Sequence, residues 1–278
     1  MRALRRANFS TVMLILGLVF LYLPMVVLIV YSFNASRLVT VWAGFSTQWY
    51  GELFRDRQIL AAVWTSLRIA FFAASMAVCL GTVAAFVMTR YGKFRGKTAL
   101  SSMVTAPLVM PEVIVGLSLL LLFVQMAQLI GWPADRGMAT IWIAHTTFCS
   151  AYVAVVVAAR LREMDRSIEE AAMDLGSPPV KTFFFITLPI ILPALAAGWL
   201  LVFTLSLDDL VIASFVSGPG ANTLPMVVFS SVRLGVSPKI NALATLIILA
   251  VSLATLLAWY LMRRSETRRQ QMLKQRDA

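Results

Sequence analysis

The sequence predicts an all-α, polytopic membrane protein with six transmembrane helices. Of its 278 residues, 60% are hydrophobic and only 13% are charged, which is about half the charged fraction of a typical soluble domain. The apolar residues form stretches long enough to cross a hydrocarbon core of about 30 Å, which takes roughly 20 residues of helix. The basic residues lie at the edges of these stretches, as membrane topology requires. The net charge of +11 therefore does not call for a nucleic-acid partner.

Seven stretches are candidate spans. One of them, Leu210–Val232, contains Gly218-Pro219-Gly220, Asn222 and Pro225, and such turn-forming residues would expose backbone groups to lipid. We interpret this stretch as the exit of the fifth helix, followed by an outer loop or a short re-entrant turn. The other six are predicted spans, and the third of them is interrupted only by Glu112: Ser10–Asn34, Ile69–Thr89, Thr98–Ala134, Gly137–Ala159, Thr182–Leu207 and Ile240–Met262.

The charge distribution supports six spans over seven. With six spans and a cytoplasmic N-terminus, the inner segments are residues 1–10, 90–97, 160–181 and 263–278, and they hold 17 of the 24 lysine and arginine residues. A seventh span would place the basic tail outside, against the positive-inside rule. We therefore expect both termini to be cytoplasmic.

The chain is predicted to contain three parts. Residues 1–60 form the N-terminal cytoplasmic tail, the first span and an outer loop; residues 61–262 form a core of five spans; and residues 263–278 form a basic tail. No stretch outside the membrane is long enough for an independent core. The two cysteines and one histidine are too few for a Cys/His metal cluster, so no metal site is expected.

The inner loop 160–181 carries five of the thirteen carboxylates, whereas the other inner segments are dominated by basic residues. A helix is predicted from Met164 to Leu175. Gly176 predicts its C-terminal end, and Pro178-Pro179 would prevent it from continuing at once. A short amphipathic helix at a membrane surface suits docking into a groove of another protein. The apolar side of this helix would present Ile168, Ala171, Ala172 and Leu175.

This loop resembles the EAA–G–I-x-LP signature of the permease subunits of binding-protein-dependent ABC importers. The signature is reproduced, with the spacing of the family, by Glu170-Ala171-Ala172, Gly176 and Ile186-Thr187-Leu188-Pro189. Its place between the fourth and fifth of six spans also matches the family. Further stretches resemble the putrescine/spermidine branch, so that the resemblance covers essentially the whole chain: Val39–Gly44, Ala106–Glu112, Leu205–Leu210 and Phe215–Gly220.

The resemblance implies the type I ABC importer permease fold, a bacterial inner-membrane location and a role in importing a polyamine, with putrescine favoured. It implies a second homologous permease that forms a heterodimer with this chain, each contributing half of the pathway. It also implies two ATPase subunits, which bind ATP and Mg, and a periplasmic polyamine-binding protein. The residues implied in coupling to the ATPase are Glu170, Ala171, Ala172, Gly176, Ile186, Leu188 and Pro189.

This chain is expected to bind no cofactor and to have no ATPase site of its own. The segment Gly92–Thr98 imitates a P-loop, but three residues separate its glycines where the motif needs four. The alternative function is a secondary transporter of organic cations driven by an ion gradient. Such a transporter would usually contain internal repeats and more spans, and the sequence shows neither.

Three carboxylates, Glu112, Asp208 and Asp209, lie within or beside apolar stretches. An ionised side chain at mid-membrane costs roughly 2.5–3.5 kcal/mol, so it normally faces a cavity or a partner. We predict that these residues are candidates for the substrate pathway, and a structural pairing role for each stays open. Pro107 and Pro111 predict a break in the third helix just before Glu112, which is tolerated beside a water-lined cavity.

Asp208 and Asp209 are adjacent and would point about 100° apart on a helix. At most one of them would then face the pathway. The other would cap the turn that follows or pair with Arg68. His145, near the outer end of the fourth span, is interpreted as a satisfied packing residue.

Overall fold

The computed structural model describes residues 9–38, 41–235 and 237–276. Residues 1–8 of the predicted N-terminal segment, Val39-Thr40 of one resemblance stretch, Val236 and the last two residues lie outside this description. Within it, the chain is helical apart from its connecting loops, and one isolated antiparallel bridge joins Asn34 and Phe45.

The described residues contain six helices that are long and apolar enough to cross a membrane, which confirms the predicted number of spans. They are α1 (Phe9–Tyr31), α3 (Arg57–Arg90), α5 (Glu112–Ile130), α6 (Met138–Glu163), α9 (Leu188–Asp208) and α12 (Pro238–Arg276). The shorter helices are α2 (Gln48–Arg55), α4 (Lys97–Thr105), α7 (Ser167–Asp174), α8 (Pro179–Thr182), α10 (Val211–Val216) and α11 (Leu224–Leu234).

The third predicted span, 98–134, contains two helices. Pro107 lies in a 3-10 turn, Ala106–Leu108, that follows α4, and Pro111 precedes α5 with extended backbone (φ −58°, ψ 135°). A proline cannot donate the N–H that a continuing helix needs, so the break before Glu112 is confirmed. The spanning part is limited to the 19 residues of α5, and the sequence boundaries were too wide.

The stretch 210–232 is also broken, as predicted, and does not form a span. It forms α10, a loop that contains Gly218-Pro219-Gly220, and the beginning of α11. Two hydrogen bonds hold the end of α10. Arg136 Nη1 donates to the Phe215 carbonyl (3.2 Å), and the Thr140 hydroxyl donates to the Val216 carbonyl (2.7 Å).

The chain divides into two compact units. The first comprises residues 1–57 and 230–278, and the second comprises residues 58–229. In the first unit, α1 has no buried residue, and Lys239 forms an ion pair with Asp56 (2.9 Å). The outer loop of this unit is organised by the buried Asn34, whose amide donates to the Val41 carbonyl (2.7 Å) and accepts from the Ala43 N–H (2.9 Å).

The core of the second unit is centred on α6, which packs against α9 and α10. Its contact with α3 relies on small residues. Gly81 lies so close to α6 that a Cβ would sit 2.6 Å from Val153 Cβ and 2.8 Å from the Ser150 carbonyl oxygen. Small residues allow helix backbones to approach closely, which is how membrane helices gain packing energy.

Gly218 is predicted to be essential for the loop after α10. A Cβ at this position would lie 1.9 Å from the Arg136 carbonyl oxygen and 2.6 Å from its carbonyl carbon, and backbone atoms cannot rotate away. We expect Gly218→Ala to reduce stability by roughly 1–3 kcal/mol, as overpacking does, measured as a lower thermal unfolding midpoint in detergent. Gly137→Ala is the control, because its Cβ would meet only Ala221 Cβ at 3.9 Å. Equal midpoints for the two variants would contradict the prediction.

Candidate functional site

The first candidate site is the α7 segment of the inner loop. Gly176 has φ +87°, a backbone conformation that favours glycine. Its N–H donates to the Met173 carbonyl (2.9 Å), and the Ser177 N–H donates to the Ala172 carbonyl (3.1 Å). These two bonds form a Schellman motif. The end predicted at Gly176 is therefore confirmed.

The start of α7 differs from the prediction. The helix begins at Ser167, three residues after Met164, because α6 continues to Glu163 and Met164 is extended (φ −74°, ψ 127°). The Ser167 N–H donates to Asp165 Oδ1 (3.0 Å) and lowers the pKa of that carboxyl. Pro179 also differs in role, since it begins α8, where the missing N–H of proline costs nothing.

The apolar side of α7 faces outward from the chain. Ile168 is 45% exposed, Leu175 is 90% exposed, and Ala171 is exposed as well. Glu170 is also exposed, and Ala172 is half-buried. An exposed apolar helix face beside a carboxylate is what a docking surface requires.

Glu169 faces the opposite way and is 8% exposed. Its Oε2 lies 2.7 Å from Arg90 Nε, and its Oε1 accepts a hydrogen bond from the Thr187 hydroxyl (2.6 Å). Glu169 was not among the predicted site residues, because the family signature contains Glu170 and not its neighbour. The helical period was the available signal, because a residue next to Ile168 points about 100° away from it.

The second half of the signature lies at the start of α9. A π-helical segment, Phe183–Thr187, joins α8 to α9, and Pro189 is the second residue of α9. Thr187 is buried, Ile186 and Leu188 are half-buried, and Pro189 is exposed. Thr187 contacts α7 by donating a hydrogen bond to Glu169.

The second candidate site is a cavity of about 240 Å³. It contains all three predicted pathway carboxylates. Glu112 is in the first turn of α5, Asp208 ends α9, and Asp209 lies between α9 and α10. The remaining lining residues are His145, Phe148, Cys149, Leu205, Ser206, Leu210, Val211 and Ile212. Two helix breaks, before α5 and after α9, therefore meet at one polar cavity.

The Asp209 carboxylate forms hydrogen bonds within the chain. Its carboxylate accepts from the Ala213 N–H (2.7 Å) and the Ile212 N–H (3.3 Å), which caps α10. His145 Nε2 lies 3.1 Å from Asp209 Oδ2, and His145 Nδ1 lies 2.7 Å from the Ser206 hydroxyl. The expectation that at most one of the two aspartates would face the pathway is wrong for this cavity, because both line it: Asp209 lies beyond the end of α9 with extended backbone (φ −64°, ψ 123°). The predicted cap is formed by Asp209. Arg68 lies instead over the ring of Trp64, 4.8 Å from its centroid.

His145 is buried and hydrogen-bonded, as the packing interpretation expected. However, His145 also forms part of the cavity wall, a position that no sequence pattern predicted.

Glu112 and Asp208 are both exposed to this cavity. Neither forms a salt bridge with a residue in the described part of the chain. When ionised, the two carboxylates give the cavity a negative potential, which at membrane depth calls for a cationic partner or water. Such a cavity can hold an organic cation.

Comparison with known proteins adds a family and close relatives. A family model described as "binding-protein-dependent transport system inner membrane component" matches residues 77–271. The putrescine transport system permease protein PotI of Escherichia coli (strain K12) is 67% identical over 264 residues, which cover 95% of this chain and 94% of that protein. The spermidine/putrescine transport system permease protein PotC of the same strain is 42% identical over 249 residues, with coverages of 90% and 91%.

Two solved structures resemble the chain. The crystal structure of a bacterial ABC transporter involved in the import of the acidic polysaccharide alginate matches with a TM-score of 0.72 and 16% identity, over 90% of this chain and 94% of that one. The alginate ABC transporter in complex with an alginate pentasaccharide-bound periplasmic protein matches with a TM-score of 0.67 and 17% identity, over 88% of each chain. At this identity the likeness concerns the fold, and it confirms the predicted one.

Proposed function

Because the chain belongs to the family of binding-protein-dependent transport system inner membrane components, we propose that it is the permease subunit of an ATP-driven importer of putrescine. The observation that carries this proposal is the 67% identity to a putrescine permease over 95% of the chain. The chain is a multi-pass inner-membrane protein, and in our proposal both termini are cytoplasmic. The relatives give no support to the ion-gradient alternative.

The proposed assembly contains four kinds of chain. A second homologous permease pairs with this one, and two ATPase subunits bind ATP and Mg on the cytoplasmic side. A periplasmic polyamine-binding protein delivers the substrate. This chain provides half of the pathway and no ATPase site.

The α7 segment is the proposed contact with the ATPase. Its exposed apolar side, with Ile168 and Leu175, would dock into a cleft of that subunit, as amphipathic helices dock into grooves. Glu170 would orient the contact, Ala171 and Ala172 would allow close approach, and Gly176 would provide the turn. Ile186, Leu188 and Pro189 begin the span that receives the motion.

Glu170→Lys tests this docking surface. We expect the ATPase subunits to be lost from the purified complex. The substitution replaces an exposed carboxylate at the proposed contact by a positive charge, and placing like charges opposite each other at an interface costs several kcal/mol. The amount of ATPase that co-purifies with each variant is the measurement. Glu163→Lys is the control, since Glu163 is exposed and precedes α7. Wild-type amounts of ATPase with Glu170→Lys would contradict the role proposed for Glu170.

The acidic cavity is the proposed substrate contact. A diamine carries two ammonium groups. Glu112 and Asp208, which form no salt bridge with any residue that the structure describes, can neutralise both. Asp209 contributes to the same negative potential, but its oxygens already serve α10 and His145. Of the three carboxylates, Glu112 and Asp208 can therefore bind the substrate, whereas Asp209 stabilises the local structure.

The proposed function is tested by reconstitution. The chain is incorporated into proteoliposomes with its sister permease, the ATPase subunits and the binding protein, and ATP hydrolysis and uptake are measured over a panel of polyamines. We expect putrescine to stimulate both. Uptake by this chain alone, in liposomes that contain no nucleotide, would refute the proposal, and stimulation by spermidine without putrescine would refute the substrate.

A further inference from the structure

A single buried carboxylate joins α7 to two membrane spans. Glu169 Oε2 lies 2.7 Å from Arg90 Nε, and its Oε1 accepts from the Thr187 hydroxyl at 2.6 Å. Arg90 is the last residue of α3, and Thr187 directly precedes α9. The charged side chains are only 9% (Arg90) and 11% (Glu169) exposed. We call Arg90, Glu169 and Thr187 the α7 clasp.

A second contact runs beside the clasp. Arg166 Nη2 donates to the carbonyl of Thr89 at 2.6 Å, and so satisfies one of the carbonyls that a helix leaves unpaired at its C-terminus. The rings of Phe86 on α3 and Phe183 in the π segment also meet edge to face, with centroids 5.2 Å apart. The beginning of α7, the end of α3 and the start of α9 are thus connected at several points.

The clasp is better explained by positioning than by stability. A buried ion pair contributes little net stability, because the desolvation of two charges offsets their attraction. In addition, Arg90 Nε and Nη2 are buried and donate no hydrogen bond to a described residue, so the Nε–Glu169 contact at 2.7 Å is an ion pair without hydrogen-bond alignment, and unmade hydrogen bonds of a buried charged group are costly.

We infer that the α7 clasp transmits the movement of α7 to α3 and α9, with Glu169 as its positioning residue. This inference rests on the proposed function. The adjacent glutamates then have different roles, since Glu170 faces the ATPase and Glu169 faces the permease's own spans. From the clasp, the 21 residues of α9 extend about 30 Å to Asp208, which lines the acidic cavity. Movement at α7 can therefore reach the substrate contact through one helix.

The test measures uptake per ATP hydrolysed in proteoliposomes that contain the complete complex. For Glu169→Gln and Arg90→Gln, we expect the ATPase to stay bound, the KM for putrescine to stay unchanged, and the ratio of uptake to ATP hydrolysis to fall at least about tenfold, because one buried charge loses its partner. The exchange Arg90→Glu with Glu169→Arg should recover part of the ratio. Glu163→Gln is the matched control, because the Glu163 side chain is 69% exposed, and it should behave as wild type.

Several outcomes would overturn the inference. A wild-type ratio for Glu169→Gln would do so, as would loss of the ATPase from that variant, which would place Glu169 at the docking surface. Thr187→Val is the variant to use if the charge variants fail to assemble, because it removes only one hydrogen bond. It should lower the ratio of uptake to ATP hydrolysis about fivefold. An unchanged ratio would count against the α7 clasp. If the wild-type complex imported putrescine without ATP, the proposed function itself would fail, and the inference with it.

Discussion

Gly176→Leu is expected to reduce putrescine uptake at least about tenfold, while the chain still inserts into the membrane. Gly176 has φ +87°, and the left-handed backbone conformation destabilises a residue with a side chain by about 1–2 kcal/mol. A leucine would relieve that strain by rotating the backbone, which breaks the bonds from Gly176 and Ser177 to the end of α7. The exposed side of α7 would then point away from its proposed partner. The measurement is uptake at equal amounts of membrane-inserted protein.

Two further variants separate backbone strain from bulk. Asparagine tolerates positive φ better than other residues with a side chain, so Gly176→Asn should retain more uptake than Gly176→Leu. Gly92→Leu places the same bulk in another inner loop, where a Cβ meets nothing within 4 Å and φ is not positive, and it should leave uptake unchanged. Equal losses for the asparagine and leucine variants, or wild-type uptake for Gly176→Leu, would contradict the argument.

The features that the sequence predicted correctly are local in the chain. The spans follow from the length of apolar stretches, the break before Glu112 follows from two prolines, and the end of α7 follows from a single glycine. Each of these depends on residues a few positions apart. Therefore hydropathy, backbone restrictions and helical period were enough to predict them.

The features that the sequence did not predict are contacts between distant segments. Glu169 meets Arg90 and Thr187, and His145 meets Ser206 and Asp209. No local pattern indicates that these side chains come together, because the helix packing alone brings them within hydrogen-bond distance. The predicted boundary between α6 and α7 was wrong for the same reason. The last turn of α6 packs through the buried Leu161, so that α6 continues into the predicted loop.

The different roles of Asp208 and Asp209 could be predicted only in part from their positions in the sequence. On a helix, adjacent residues would point about 100° apart, but Asp209 lies beyond the end of α9 and both aspartates line the cavity; adjacency also leaves open which of the two is structural. The structure assigns the cap to Asp209 because α9 ends at Asp208, so that Asp209 precedes α10 and faces its unpaired N–H groups. Sequence reasoning could not make that choice without the position of the helix end.

Removing the charge at the acidic cavity should affect transport more than assembly. We expect Glu112→Gln and Asp208→Asn each to raise the KM for putrescine uptake by about tenfold, because a hydrogen bond to a charged group contributes about 1.5–3 kcal/mol and either variant removes one of the two available charges. Both variants should retain wild-type amounts of assembled complex. Putrescine uptake kinetics in proteoliposomes that contain the complete complex are the measurement.

Asp209→Asn is the informative contrast, because it lines the same cavity but caps α10 and accepts from His145. An asparagine keeps one acceptor oxygen and loses the charge, so we expect a lower thermal unfolding midpoint together with reduced assembly. Glu52→Gln, an exposed carboxylate on α2, should change neither property. If Glu112→Gln and Asp208→Asn both transported with wild-type kinetics, the cavity would be structural, and the positive charges of the substrate would have to be balanced elsewhere along the pathway.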